Sequence, residues 1–340
     1  PPTLTLPTTS TTVYVTSGNC SSSVTVANAT VTEACGMQSF TYGASGATTI
    51  PTTVIQGAQV GTKTFSVGVT TILYTATDLS GNTTTATLTV TIRDTIRPTL
   101  SIPANASVNT DAGQCTANVT STAATFSDNC TSLAPVLSWV MSGATIRTGS
   151  GQLGAQSFNK GVTTILYTVT DSSGNPNTAS RTVTVTDAEL PTITAASGQT
   201  VSMDAGQCTA SVSVGNATFA DNCSGSVLTY VMSGATTQAS TSGQVGTKTF
   251  NKGTTTITYT VTDAAGNTAT ASAAYTVNYT FIGFLSPVDN PNVVNTGKAG
   301  KTYPVKWQLK DANGGYISTL SAVTSINELS RCCFTRARFT

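Results

Sequence analysis

The chain has 340 residues, a net charge of +1, no histidine and only 9% Asp, Glu, Lys and Arg, where an ordinary soluble domain carries about 25% charged residues. Without histidine it cannot build a Ser-His-Asp or Cys-His nucleophile system, an imidazole metal site or a switch titrating near neutrality. Without a basic run it has no electrostatic footprint for nucleic acid, and no apolar run approaches the roughly 20 residues that span a bilayer.

In place of charge the chain carries 72 Thr and 36 Ser. Its apolar residues alternate with these hydroxyls, as in Thr87-Leu88-Thr89-Val90-Thr91-Ile92 and Thr182-Val183-Thr184-Val185-Thr186. A period of two in β-branched residues puts alternate side chains on one face and predicts strands. No stretch shows a capped 3.6-residue apolar period, so the fold class expected is all-β. The opening Pro1-Pro2-Thr3, with neither Met nor a signal peptide, reads as a mature or internal segment.

In chain order the same elements return three times. Residues 1–94 contain Cys20, Cys35, Tyr42, Phe65 and the phrase Tyr74-Thr75-Ala76-Thr77-Asp78-Leu79-Ser80-Gly81-Asn82. Residues 95–187 repeat them as Cys115, Cys130, Trp139, Phe158 and Tyr167-Thr168-Val169-Thr170-Asp171-Ser172-Ser173-Gly174-Asn175. Residues 188–280 repeat them as Cys208, Cys223, Tyr230, Phe250 and Tyr259-Thr260-Val261-Thr262-Asp263-Ala264-Ala265-Gly266-Asn267. The tyrosines lie 93 and 92 residues apart. A unit of this size with some seven short strands fits an immunoglobulin-like sandwich, with the repeated aromatics filling the space between sheets. Asp-x-x-Gly-Asn is a hairpin turn: glycine supplies a positive φ, and short polar side chains bond back to the backbone. The joints Asp94-Thr95-Ile96-Arg97-Pro98-Thr99 and Asp187-Ala188-Glu189-Leu190-Pro191-Thr192 are short and stiffened by proline. Three units in series predict an elongated rod.

The Asp-Ala-Gly-Gln-Cys of 111–115 and 204–208, the Asp-Asn-Cys of 128–130 and 221–223, and the Tyr-Thr-x-Thr-Asp-x-x-Gly-Asn phrase resemble the hyalin repeat (HYR) domain. The resemblance covers roughly residues 1–278 and implies tandem immunoglobulin-like domains in an extracellular or cell-surface protein linked to adhesion. Unit one departs from it with Ser17-Gly18-Asn19-Cys20 and Glu33-Ala34-Cys35. After residue 280 the period breaks. Phe284-Leu285-Ser286-Pro287, Asn295-Thr296-Gly297 and Pro304-Val305-Lys306-Trp307 resemble the first half of a PxKF domain, a type found in secreted bacterial proteins, which gives 281–340 as a partial fourth domain with an atypical tail.

Eight cysteines in a secreted-looking β chain point to disulfides. The partner available inside each repeat gives Cys20–Cys35, Cys115–Cys130 and Cys208–Cys223. The adjacent Cys332 and Cys333 are left for another chain or for residues beyond this segment. At each joint the incoming linker should meet the turn after the sixth strand. Asp94 is thus expected beside Asp171 and Asn175, and Asp187 beside Asp263 and Asn267, with Asp128 and Asp221 able to join. Such oxygen clusters suit calcium, the one cofactor this sequence points to. The other reading is that these residues are only turn formers making Asx hydrogen bonds.

The function expected is therefore non-enzymatic and extracellular: a surface stalk or a self-assembling filament subunit. The strand-like Leu4-Thr5-Leu6 and Thr12-Val13-Tyr14-Val15 would complete a neighbour's sheet. The alternative is an adhesin that holds a glycan or a partner protein through its loops, with Trp139, Tyr230 and Tyr42 as a stacking platform if they are not core.

Overall fold

A computed structural model describes all residues except 16–17, 55–58, 131–133, 205–206, 279, 286–305 and 311–340. The described part is all-β. The first repeat folds as nine strands: β1 (Thr3–Thr5), β2 (Ser10–Val15), β3 (Ser21–Val26), β4 (Thr30–Thr32), β5 (Met37–Gly46), β6 (Ile50–Val54), β7 (Gly61–Ser66), β8 (Gly68–Asp78) and β9 (Thr83–Asp94). The second repeats the plan: β10 (Thr99–Ser101), β11 (Ala106–Asn109), β12 (Thr116–Thr120), β13 (Thr125–Ser127), β14 (Val136–Gly143), β15 (Arg147–Ser150), β16 (Ala155–Asn159), β17 (Gly161–Thr170) and β18 (Pro176–Thr186). The third does so again: β19 (Thr192–Thr194), β20 (Thr200–Ser202), β21 (Thr209–Ser213), β22 (Thr218–Ala220), β23 (Val227–Gly234), β24 (Gln238–Ser242), β25 (Thr247–Asn251), β26 (Gly253–Thr262) and β27 (Thr268–Asn278). Beyond them β28 (Thr280–Leu285) pairs with β29 (Lys306–Lys310). The rest of the expected fourth domain, with Cys332 and Cys333, lies outside the described residues.

Each repeat has a five-stranded sheet, ordered β2-β9-β8-β5-β6 in the first, and two two-stranded pieces, β1-β4 and β3-β7. Nine strands replace the seven expected partly because the first strand is broken. Around Pro7, and again around Pro103, the chain lacks an N–H for a continuous ladder. Its halves therefore part, β1 pairing antiparallel with β4 and β2 parallel with β9. The N-terminal strands expected to be donors for a neighbour pair within their own sandwich in the single chain.

Alternation on the long strands carries the core inward. Ile72, Tyr74 and Ala76 of β8, Leu88, Val90 and Ile92 of β9, and Phe65 of β7 are all buried. Equivalent cores form around Phe158 and Tyr167, and around Phe250 and Tyr259. Not every threonine is a solvent-side residue. Thr70, Thr163 and Thr255 are fully buried, each accepting a backbone N–H, from Thr48, Thr145 and Thr236 respectively. The recurring Ser-Gly-Ala has a steric cause. Gly46, Gly143 and Gly234 have φ of 102°, 95° and 97°, and a Cβ there would run into the carbonyl oxygen of Val69, Val162 or Thr254.

The chain divides into two compact units, one of Pro1–Asn109 with Thr116–Thr186, the other of Thr110–Cys115 with Asp187–Thr340. Among the described residues no helix is long and apolar enough to cross a membrane.

Candidate joint sites

Each eleven- or ten-residue strand β8, β17 and β26 ends in the Asp-x-x-Gly-Asn turn, and the expected turn chemistry is present in full. Asp78 Oδ1 accepts the N–H groups of Ser80 and Asn82 at 2.8 Å each, while Asn82 Nδ2 donates to Asp78 Oδ2 at 2.8 Å. Asp171 with Asn175, and Asp263 with Asn267, repeat this arrangement. The Asn82 side-chain hydrogen bond, together with backbone N–H groups, holds the Asp78 carboxyl below its ordinary range despite burial. At Asp263 burial is the largest single influence and acts upward. The combined hydrogen bonds of Asn267, Ala265 and Gly266 outweigh it, and that carboxyl also sits low.

In the first unit the linker arrives at this turn as expected. Asp94 ends β9 with 5% of its surface exposed. Its carbonyl accepts Asn175 Nδ2 at 3.1 Å, and its Oδ1 accepts the Ile96 N–H at 3.0 Å. Nearby, Asn177 Nδ2 donates to the Pro98 carbonyl at 2.8 Å. Asp128 Oδ2 closes an Asx turn on the Cys130 N–H at 2.9 Å. One carboxylate oxygen of Asp94, one of Asp128 and the Cys130 sulfur lie within 4.8 Å of one another. Asp94 Oδ2, Asp128 Oδ1 and Asn129 Oδ1 are buried without a hydrogen-bond partner. Asp171 is not one of these three: its oxygens bond within its own turn, and Asn175 presents its amide nitrogen to the linker.

The second unit builds the same arrangement with one more carboxylate. The Asp187 carbonyl accepts Asn267 Nδ2 at 3.2 Å, and oxygens of Asp187, Asp221 and Asp263 lie within 4.8 Å of one another. Asp221 Oδ2 accepts the Cys223 N–H at 3.1 Å, while Asp221 Oδ1 and Asn222 Oδ1 are buried without partners. Asn222 Nδ2 donates to the Gln114 carbonyl at 2.8 Å, tying this cluster to the Thr110–Cys115 segment. Asn129 and Asn222 are the residues that motif reading missed. Their signal was the middle letter of Asp-Asn-Cys, which unit one replaces with Glu33-Ala34-Cys35. There Glu33 keeps the turn, accepting the Cys35 N–H at 3.1 Å.

The disulfides correct the pairing expected within repeats. Cys20 bonds Cys130 and Cys115 bonds Cys223, with Cα–Cα separations of 4.8 and 4.9 Å. Cys35 and Cys208 are exposed free thiols. The reason is polar placement within the sandwich. The Cys20 carbonyl accepts the Val67 N–H, before β8 begins, whereas Gly36, next to Cys35, accepts the Leu79 N–H after β8 ends. An eleven-residue strand of about 3.3 Å per residue therefore separates Cys20 from Cys35 by roughly 35 Å. In the third repeat Cys208 likewise accepts from Lys252 ahead of β26, while Cys223 lies with the Asp263 turn at its far end. A cysteine at one pole of a repeat can reach only the Asp-Asn-Cys pole of the next.

The proposed aromatic platform does not face solvent. Tyr42, Trp139 and Tyr230 are exposed by 6%, 8% and 3% and pair in register with Tyr74, Tyr167 and Tyr259 inside the cores.

The sequence signature of the HYR domain matches residues 93–185 and 186–279. Hyalin of Strongylocentrotus purpuratus is 31% identical over 231 residues, covering 66% of this chain and 17% of hyalin, so the chain spans about a sixth of that relative. Among solved structures, a tetra-tandem repeat in the extending region of a large adhesion protein is similar at 18% identity and a TM-score of 0.40, covering 82% of this chain and 75% of that one. Sidekick-1 immunoglobulin domains 1–5 are similar at 13% identity and a TM-score of 0.35, covering 81% and 58%. Protocadherin Gamma B2 cadherin domains 3–6 are similar at 13% identity and a TM-score of 0.30, covering 92% and 84%.

Proposed function

Because the chain belongs to the HYR domain family, an extracellular, adhesion-type class of repeat, we propose that it is a tension-bearing segment of such a protein. In this reading covalent bridges between successive repeats, rather than the folding of each repeat alone, set its strength. The observation that carries this reading is the disulfide pattern, in which repeat one is bonded to repeat two and repeat two to repeat three. The covalent path from Cys20 to Cys223 is 203 residues along the backbone. Through the bridges it is only the 15 residues between Cys115 and Cys130. Force applied at the ends bypasses residues 21–114 and 131–222, which are most of the first two sandwiches and the first part of the third.

The test is to stretch single chains with and without reductant. Reduction should add about 190 residues of extensible chain, roughly 650 Å at about 3.4 Å per residue. Equal extension in the two conditions would remove the basis of the mechanical reading.

The same pattern supports self-association into a filament. Cys208 occupies the position of Cys20 and Cys115, and Cys35 the position of Cys130 and Cys223, yet both are exposed thiols. Cys208 of one copy would bond Cys35 of the next, two thiols losing two hydrogens to an oxidant such as glutathione disulfide. The N-terminal strands, already paired with β4 and β9, do not serve as the link.

A further inference from the structure

We propose that the two aspartate clusters are binding sites for a hard divalent cation, calcium being the ion they suit. The first is built on Asp94 and Asp128, and the second on Asp187, Asp221 and Asp263. This inference stands on the geometry of each cluster within its own unit and does not depend on the mechanical reading.

Acidic residues gathered on a surface mean little, but each of these clusters is built around buried carboxylates, with Asp128 and Asp221 half-buried beside them. Asp94, Asp187 and Asp263 are exposed by 5%, 3% and 5%. Bringing carboxylates within 4.8 Å of each other away from water disfavours their charged forms unless something positive joins them. No ion pair reaches Asp94 or Asp128 among the described residues, and Asp94 Oδ2 and Asp128 Oδ1 have no hydrogen-bond partner. Buried polar atoms are almost always satisfied, so unpaired oxygens on two facing carboxylates mark a missing partner. Asp221 Oδ1 in the second cluster is unpaired as Asp128 Oδ1 is in the first, and Asn222 Oδ1 as Asn129 Oδ1 is, while Asn222 Nδ2 donates to Asp187 Oδ1 at 3.4 Å. Two clusters of the same design, each with its Asp-Asn-Cys oxygens left open, are not explained by turn formation. The turn uses Oδ2 of Asp128 and of Asp221 and leaves Oδ1 idle.

Donor chemistry selects the ion. Every available ligand is oxygen, since the Cys130 sulfur is already in a disulfide and there is no histidine. Oxygen-only sets suit calcium or magnesium and exclude the softer metals, and calcium, with six to eight oxygens in flexible geometry, tolerates an irregular carboxylate cluster better than magnesium's near-ideal octahedron. Few protein ligands per site place the affinity in the range of extracellular modules, about 10⁻⁴ to 10⁻³ M.

The experiment is thermal unfolding and calorimetric titration of the full chain with CaCl₂, beside NaCl at matched ionic strength and MgCl₂. The expected result is two calcium ions per chain and a melting midpoint raised by several degrees in the millimolar range, beyond the NaCl effect. The double variant Asp128→Asn/Asp221→Asn keeps an Oδ1 acceptor for the Cys130 and Cys223 N–H groups. It should melt no lower than the metal-free parent and lose the calcium response. Asp94→Asn should remove one of the two ions if the double variant folds poorly. No calcium heat, a midpoint shift equal to that of NaCl, or an undiminished response in the variants would overturn the proposal.

Discussion

Cys20 in the first repeat is bonded to Cys130 in the second, across 110 residues of sequence, with their Cα atoms 4.8 Å apart. A bridge closing a loop of that length contributes on the order of 4–5 kcal/mol through the entropy it removes from the unfolded chain. Cys130→Ser should therefore lower the unfolding free energy by several kcal/mol. A Cys35→Ser change should leave it within about 0.5 kcal/mol of the parent, as expected for an exposed site away from special contacts. Denaturant titration of the two variants under oxidising conditions checks the contrast.

Head-to-tail linkage makes its own prediction. With Cys332 and Cys333 replaced by serine, oxidation by glutathione disulfide should still give a ladder of covalent multimers on non-reducing gels. Adding either Cys35→Ser or Cys208→Ser should reduce it to monomers. A monomer in the first background, or a ladder surviving the third substitution, would dismiss Cys208–Cys35 linkage.

Trp139 and Gly149 form a matched pair. They are opposite in the β14–β15 register, and a Cβ on Gly149 would enter the space of the indole ring. The third repeat solves the same position with Tyr230 opposite Thr241. Gly149→Thr alone should cost about 1–3 kcal/mol by overpacking. Combined with Trp139→Tyr it should recover a coupling of about 1–2 kcal/mol. A double-mutant cycle on urea unfolding measures it.

The hydroxyls of Tyr74, Tyr167 and Tyr259 are buried without partners, and burial pushes each phenol's pKa up. Removing an unsatisfied hydroxyl relieves a desolvation cost instead of breaking a bond. Tyr→Phe at any of the three should leave the melting midpoint unchanged or raise it. A loss of more than about 1 kcal/mol would show that the hydroxyl has a partner.

Asp78 gives the pH prediction. Its folded pKa lies below the ordinary value of 3.8, chiefly through the Asn82 side-chain hydrogen bond. Its contribution is fully present above the unfolded pKa and is lost as pH falls through the lowered folded one. Asp78→Asn should flatten the acid limb of stability below about pH 4 while changing its slope little above pH 6.

Much of this was legible in the residues. Alternation placed Tyr74 and Ile72 inward, the Asp-x-x-Gly-Asn spacing specified its turn, and the meeting of Asp94 with Asn175 followed from the topology of a sandwich. The disulfide partners were not legible in the same way. Pairing Cys20 with Cys35 treats each repeat as self-sufficient, and a spacing of fifteen residues looks short until six of them are laid along β3, which carries the chain to the other pole. Trp139, Tyr42 and Tyr230 were open to two readings because a strand's facing depends on register, which fixes them in the core. The idle oxygens of Asn129 and Asn222 become visible only once their hydrogen bonds are traced.

The most direct test is peptide mapping of the oxidised chain, digested without reduction and read by mass spectrometry. Linked peptides joining Cys20 to Cys130 and Cys115 to Cys223 are the predicted result. Peptides joining Cys20 to Cys35, Cys115 to Cys130 and Cys208 to Cys223 would contradict it, and the covalent series with it.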